Sequence, residues 1–207
     1  MSFNPNTLLN NPANLLTVRS QGGLTPGPVP GQAKAEPVPL PPYDLTMYEN
    51  AYGRLGLMNI ANVADLGCGC GNFTGVMVLR RQRPEVYLGV DKSHGAIQTA
   101  KAAYPGWNFI YGDFTSPQVI QHYERFEAYL LLNVLDVIDD DLGLVGIIPS
   151  GKPILFSMPR FPKEGSVRYY DDVNDLRDRY SNFLSFKTVG RFNISTDIYF
   201  MVVAVRW

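Results

Sequence analysis

Cysteine is scarce in this chain: two of 207 residues, Cys68 and Cys70, two positions apart. A disulfide across so short a spacing is strained, and two thiols with no His or Cys partner nearby make a poor zinc site. Reduced bystander thiols and no metal are the expectation. Long apolar runs are also missing. Nothing approaches the roughly 18 residues of a membrane span, and the N-terminus has no basic segment followed by an apolar one. Cytoplasmic residence is expected. Charge of one sign is lacking too: the formal net charge is −1, and Lys and Arg are scattered. Nucleic acid is therefore unsupported as a partner.

What is present is 45% hydrophobic residues in a chain long enough for one well-cored domain. Residues 1–42 differ in composition, with nine of the sixteen prolines, five asparagines and few charges. Such a segment forms neither helices nor central strands and samples extended, polyproline-like states. It reads as an N-terminal arm, flexible or docked on a partner or a second subunit, ahead of a globular domain over 43–207. The domain opens with a helical pattern, Tyr43 to Leu57, in which Tyr48, Tyr52 and Leu55 share one apolar, aromatic face.

The organising stretch is Val63-Ala-Asp-Leu-Gly-Cys-Gly-Cys-Gly-Asn-Phe-Thr-Gly75. An apolar run reaches an acid, glycines follow at 67, 69 and 71, and a helix-compatible segment runs from Phe73 to Arg81. This predicts strand, tight turn and helix, with backbone able to approach a ligand closely. The pyrophosphate fingerprint needs a third glycine where Asn72 stands, and the Gly-Lys-Ser/Thr of a phosphate loop is absent. A nicotinamide-dependent oxidoreductase is thereby disfavoured.

The pattern Asp65-Leu-Gly67-Cys68-Gly69-Cys-Gly71 resembles the first motif of class I S-adenosylmethionine-dependent methyltransferases. Further motifs follow in that family's order. Glu85-Val-Tyr-Leu-Gly-Val-Asp91 is a second strand ending in an acid, 24 positions after Gly67. Such an acid meets ribose hydroxyls in nucleoside-binding βαβ units. Capping the next helix, Gly95 to Ala103, is its other option, which Ser93 could equally fill. Trp107 to Phe114 forms a third strand ending in Gly-Asp-Phe, and Ser116-Pro117 starts a short helix with Ser116 as its cap and Pro117 at its first position. Phe126 to Asp141 holds a fourth strand and its turn, and Gly151 to Pro159 a fifth. A helix through Tyr180 and two β-rich segments, Phe183 to Arg191 and Asp197 to Trp207, complete the chain.

The resemblance implies a Rossmann-like three-layer α/β sandwich, its sheet mostly parallel with an antiparallel C-terminal strand pair. It implies S-adenosylmethionine as cofactor, held by Asp65, Gly67, Cys68, Gly69, Gly71, Asp91, Lys92, Asp113, Phe114 and Asn133. Asp113 would accept from the adenine amino group, and the Phe114 backbone N–H would meet a ring nitrogen. Tyr43 and Tyr48 would lie in a helix covering the cofactor. Two departures stand out: Lys92 replaces the apolar residue that usually lies along the adenine, and Val137 occupies the place of a usual His. Leu40-Pro-Pro-Tyr43 lacks the polar first residue that the base-flipping motif of DNA amino-methyltransferases requires.

The implied activity is methyl transfer to a small-molecule or accessible macromolecular nucleophile. His94, Asp136, Tyr169 and Tyr170 are candidate bases, with Arg160 or Arg168 to orient an anionic substrate. Asp136 is expected at the polar rim, and Asp139 to Asp141 at a helix N-terminus. The alternative is a non-catalytic protein that uses the fold as a binding or assembly module through its arm.

Overall fold

Val63 to Leu66 are buried on both faces, and the sheet of this computed structural model grows outward from them. The structure describes residues 42–81, 84–194 and 196–207, without the side chains of 42–45. The arm expected over 1–42 thus lies outside the described residues, save for the first helical position, Pro42. Helix α1 (Pro42–Leu57) leads into β1 (Asn62–Leu66), then α2 (Asn72–Leu79), β2 (Val86–Asp91), α3 (His94–Ala103) and β3 (Phe109–Tyr111). A short α4 (Pro117–Ile120) and one 3-10 turn (Tyr123–Arg125) precede β4 (Ala128–Leu131), α5 (Asp141–Ile147) and β5 (Pro153–Pro159). Helix α6 (Val173–Tyr180) and the long hairpin β6 (Leu184–Ile194) and β7 (Asp197–Arg206) follow.

The seven strands lie in the order β3-β2-β1-β4-β5-β7-β6. The first five are parallel; β7 runs antiparallel to both β5 and β6. Side chains alternate across a strand, so β1 sends Ala64 and Leu66 to one core and Val63 to the other. Helices α4, α5 and α6 close the first core through Val119, Leu144, Val145, Leu176 and Tyr180. Helices α1, α2 and α3 close the second through Met47, Ala51, Leu55, Phe73, Met77, Ile97 and Ala100. Covering both faces explains why the parallel strands read as unbroken apolar runs. Full burial of a side chain such as Phe156 or Phe200 contributes about 1.5–3 kcal/mol. The expected three-layer sandwich with its antiparallel C-terminal pair is what forms.

Two local expectations are corrected. The buried stripe of α1 is Met47, Ala51 and Leu55, spaced by four, while Tyr48 and Tyr52 are only partly buried at its edge. Their hydroxyls favour that flank over full burial. Ser116 precedes Pro117 as predicted, but its side chain makes no capping bond; its carbonyl instead accepts from the Val119 and Ile120 N–H groups. Other caps are made by side chains: Ser93 on α3, Asp140 on α5 and Asp172 on α6.

Strand order reverses between β1 and β4, so the carboxyl ends of β1, β2 and β4 border a crevice of the kind where open α/β sheets bind ligands.

Candidate active site

At the end of β1 the chain turns through three glycines with positive φ: +80° at Gly67, +54° at Gly69 and +83° at Gly71. The Gly67 and Cys68 N–H groups both donate to the Val90 carbonyl, at 2.7 and 3.1 Å, which folds the loop over the end of β2. The three glycines have different reasons. A Cβ at Gly67 would stand 2.4 Å from Val134 Cγ2, and one at Gly71 3.0 Å from the Tyr104 ring. A Cβ at Gly69 would meet nothing within 4 Å. Gly67 and Gly71 are therefore glycines for packing as well as for φ, while Gly69 presents its backbone to open space.

Asp91 fixes that backbone. Its Oδ2 accepts from the Gly69 N–H and its Oδ1 from the Ser93 N–H, each at 2.8 Å. Ser93, not Asp91, caps α3, with its Oγ accepting from the Ala96 N–H at 3.2 Å. Each Asp91 oxygen keeps a further lone pair, enough to receive two hydroxyls. Asn72 Nδ2 donates to the Tyr48 hydroxyl at 3.2 Å, tying α1 to the loop. Tyr43, the other lid candidate, has no described side chain.

Asp65 lies beneath the loop, 3% exposed, and accepts from the Tyr87 hydroxyl at 2.7 Å. Burial pushes its carboxyl pKa up to about 7; the Tyr87 bond opposes this, and the charge of Asp91 adds to it. Cys68 is buried against Gly89 and Cys70 is exposed, both as free thiols. Burial, then the charges of Asp65 and Asp91, hold the Cys68 thiol protonated.

At the next strand end, Asp113 Oδ1 accepts from the Thr115 N–H and hydroxyl at 2.8 and 2.7 Å, with the carboxylate exposed. The Phe114 ring is in the core beside Val119 and Tyr123, and its carbonyl accepts from the Tyr123 hydroxyl. Lys92 is exposed. The Gly112 N–H donates to the Asp91 carbonyl at 3.0 Å, which brings the two acidic strand ends side by side.

Asn133, at the top of β4, has φ +55°, a conformation Asn tolerates better than most residues. Its N–H donates to Ser157 Oγ at 2.8 Å, and its Oδ1 lies 3.5 Å from Lys163 Nζ. Asp136 is not at the rim as expected: it is fully buried, because the β5–α6 loop closes over it. The Val167 N–H donates to its carbonyl at 2.7 Å, Ser166 Oγ donates to its Oδ2 at 3.0 Å, and Lys163 Nζ pairs with the same oxygen at 3.3 Å. Sequence reasoning missed Lys163, Ser157, Ser166 and Tyr199; their partners stand 24 to 36 positions away, and no local spacing marks them.

The remaining candidates fall elsewhere. The Arg168 guanidinium donates to the carbonyls of Leu135, Ile138 and Asp139 and pairs with Asp141, so it braces the β4–α5 turn. Arg160 Nε donates to the Asp171 carbonyl and its guanidinium lies over Phe161. His94 is exposed, edge-on to Tyr111 with ring centres 5.3 Å apart. Tyr169 is exposed, and Tyr170 is half-buried with its N–H donated to the Pro159 carbonyl. A cavity of about 820 Å³ at the outer ends of α1 and α2, lined by Glu49, Arg54, Leu57 and Arg80 among others, holds none of these residues.

Residues 48–150 match the profile of the FtsJ-like methyltransferases. In solved structures the fold recurs in the magnesium protoporphyrin IX methyltransferase of Synechocystis PCC 6803 with bound SAH. That similarity has TM-score 0.61 and 16% identity over 80% of this chain and 84% of that one. It recurs in the methyltransferase domain of bacterial CtHen1-C, at TM-score 0.60 and 13% identity over 79% and 98%. The chain carries the fold of the class I S-adenosylmethionine-dependent methyltransferases. Among curated relatives, trans-aconitate 2-methyltransferase of Escherichia coli is 37% identical over 68 residues, 33% of this chain. The match spans about a quarter of that enzyme, 27% of its length.

The cofactor of that fold fits the residues present. A class I methyltransferase loop needs a backbone stretch free of side chains beside an acid for the ribose, and Gly69 over open space with Asp91 beneath it supplies both.

Proposed function

We propose that this chain transfers a methyl group from S-adenosylmethionine to a nucleophile at the tops of β4 and β5. The observation that carries the reading is the open Gly69 backbone held by Asp91. In it, Gly67, Cys68, Gly69 and Gly71 would pass along the methionine part, with Asp65 beneath. Asp91 would receive the ribose hydroxyls. Asp113 would accept from the adenine amino group and the Phe114 N–H would meet the ring, with the Lys92 stem along its face. Asn133 would stand beside the reacting end. The cofactor supplies an electrophilic methyl on a sulfonium, and the leaving thioether is neutral. What the protein has to do is align the acceptor and exclude water, more than move protons.

A cytoplasmic setting belongs to the same proposal. It is supported by two free thiols, and no helix among the described residues is long and apolar enough to cross a membrane. So does a docking role for the arm over 1–42, whose deletion should leave cofactor affinity unchanged and lower affinity for its partner.

The test is calorimetric titration of the purified protein with S-adenosylmethionine and S-adenosylhomocysteine, with Asp91→Ala as control. Micromolar-range binding that the variant loses supports the proposal. Absence of heat from folded, ligand-free protein would refute it and favour the non-catalytic assembly module.

A further inference from the structure

Asp136 and Lys163 form the one ion pair with a fully buried carboxylate at the top of β4 among the described residues, and its geometry is lopsided. Asp136 is 0% exposed, and its Oδ1 has no hydrogen-bond partner. The Lys163 side chain is 26% exposed, so the cation is the wet end of the pair. Three acceptors hold its ammonium: Asp136 Oδ2 at 3.3 Å, the Tyr199 hydroxyl at 3.3 Å and Asn133 Oδ1 at 3.5 Å. The Asn133 N–H is fastened to Ser157 Oγ, and the neighbouring Val134 is the side chain against which Gly67 packs. Asn133, which the ammonium contacts, is therefore the chain neighbour of the residue that packs against Gly67.

The two loops around the ammonium carry exposed apolar side chains, interspersed with the exposed Asp139 and Glu164. Val137, Phe161, Val167 and Tyr169 are 43%, 47%, 56% and 45% exposed, and each lies within three positions of Asp136, Lys163 or Ser166. Large exposed side chains gathered on two adjacent loops are unusual at an ordinary surface and mark a contact for an apolar body. A partly exposed cation on loops that carry these apolar side chains, with the Arg160 guanidinium over Phe161, suits a molecule with an apolar skeleton and an anionic oxygen.

The chemistry narrows that oxygen. An alcohol would have to lose its proton as it is methylated, and neither Asp136 nor Lys163 is fitted to take it. Asp136 is sealed from the acceptor and already paired with a cation. Burial tends to discharge Lys163, but Asp136 and Tyr199 overrule it and hold its pKa above the ordinary lysine value. An amine acceptor would meet the ammonium as a like charge. A carboxylate arrives ionised at neutral pH and needs no base.

Resting on the methyltransferase reading, we infer that Lys163, held by Asp136, Asn133 and Tyr199, is the acceptor subsite, and that the acceptor is a carboxylic acid on an apolar or aromatic skeleton. One carboxylate oxygen takes the place of Asn133 Oδ1, the longest of the three contacts, and accepts a hydrogen bond from Lys163 while the other attacks the methyl carbon. The carbon–sulfur bond breaks with its electron pair left on sulfur. The products are a methyl ester and S-adenosylhomocysteine, and no proton moves.

Benzoate, cinnamate, phenol, benzyl alcohol and benzylamine are titrated by calorimetry into the intact protein saturated with S-adenosylhomocysteine, and each is assayed for methylation with S-adenosylmethionine. The expected result is binding and methyl-ester formation with the two carboxylates only. Lys163→Met should weaken carboxylate binding at least about tenfold, as loss of a charge-assisted hydrogen bond does, and Lys163→Arg should keep most of it. Both should bind S-adenosylhomocysteine like the parent. The double variant Lys163→Met/Asp136→Asn removes both charges, leaves no unpaired buried carboxylate, and should show the same loss. Carboxylate binding that survives in that double variant, or methylation of benzyl alcohol or benzylamine alone, overturns the inference. S-adenosylhomocysteine binding without Lys163-dependent carboxylate binding overturns this inference and spares the reading beneath it. Absence of S-adenosylhomocysteine binding overturns both.

Discussion

Asp65 should make this protein less stable as pH rises through neutrality, and Asp65→Asn should abolish that dependence. The carboxyl is 3% exposed and its pKa is pushed from an ordinary 3.8 up to about 7, chiefly by burial. A folded-state pKa above the unfolded one means the native state holds a proton that the unfolded chain has already released. The penalty is absent well below pH 4, grows between about 4 and 7, and is complete above about 8. At about 1.4 kcal/mol per pH unit, the gap from 3.8 to about 7 amounts to about 4 kcal/mol. Between pH 5 and 8 this single group removes roughly 2.5 kcal/mol. Asparagine keeps an oxygen for the Tyr87 hydroxyl and cannot ionise. Urea denaturation of parent and variant at unit steps from pH 5 to 9 isolates the effect, because the other titrating groups cancel in the difference. The two stabilities should converge at low pH, with the variant gaining on the parent as pH rises. Parallel curves would refute the argument that Asp65 is desolvated.

Gly67→Ala should lose roughly 2–4 kcal/mol in denaturant titration, since it meets both a positive φ and the Val134 methyl at 2.4 Å. Gly69→Ala has only the φ penalty, about 1–2 kcal/mol, because nothing lies within 4 Å, and its main loss should be in S-adenosylhomocysteine affinity read by calorimetry. Asp91→Ala frees the Gly69 and Ser93 N–H groups and should weaken that affinity at least about tenfold. Asp141 is buried and accepts from Arg179 and Tyr180, and Arg168 pairs with it. Burial alone would raise its pKa, but these partners hold it below the ordinary value. Its contribution is therefore present above pH 4 and lost as pH falls through the folded-state pKa. Asp141→Asn should cost about 3 kcal/mol at pH 7, read as a lower Tm.

The glycine loop was legible because it is local. Asp65, Gly67, Gly69 and Gly71 fall within seven residues, and a strand-to-helix turn imposes their spacing whatever surrounds it. Asp91 was legible as a strand-end acid, but not its hold on the Gly69 N–H, which depends on how the β1 loop folds over Val90. The α1 face was misjudged because aromatic residues count as apolar in a periodicity argument, whereas Met47 and Ala51 fit closely against α2 and the tyrosines keep their hydroxyls at the edge. Arg168 looked like an anion ligand since nothing in the sequence says that the carbonyls of Leu135, Ile138 and Asp139 converge upon it.

The cluster around Lys163 could not have been read in the same way, for a topological reason. Its polar members come from the β4 end, the β5 strand, the loop after β5 and the start of β7, and strand order alone brings these together: β7 inserts beside β5 antiparallel and sets Tyr199 opposite Pro159. A lone lysine in Phe161-Pro-Lys-Glu-Gly-Ser166 is indistinguishable from a solvated loop residue until the buried Asp136 is found 3.3 Å away. The same topology divides the work. Substitutions in the loop after β5 can change what meets Lys163 without touching the β1 and β2 ends that hold Gly69 and Asp91. Variation there should therefore shift the acceptor while leaving cofactor affinity as it was.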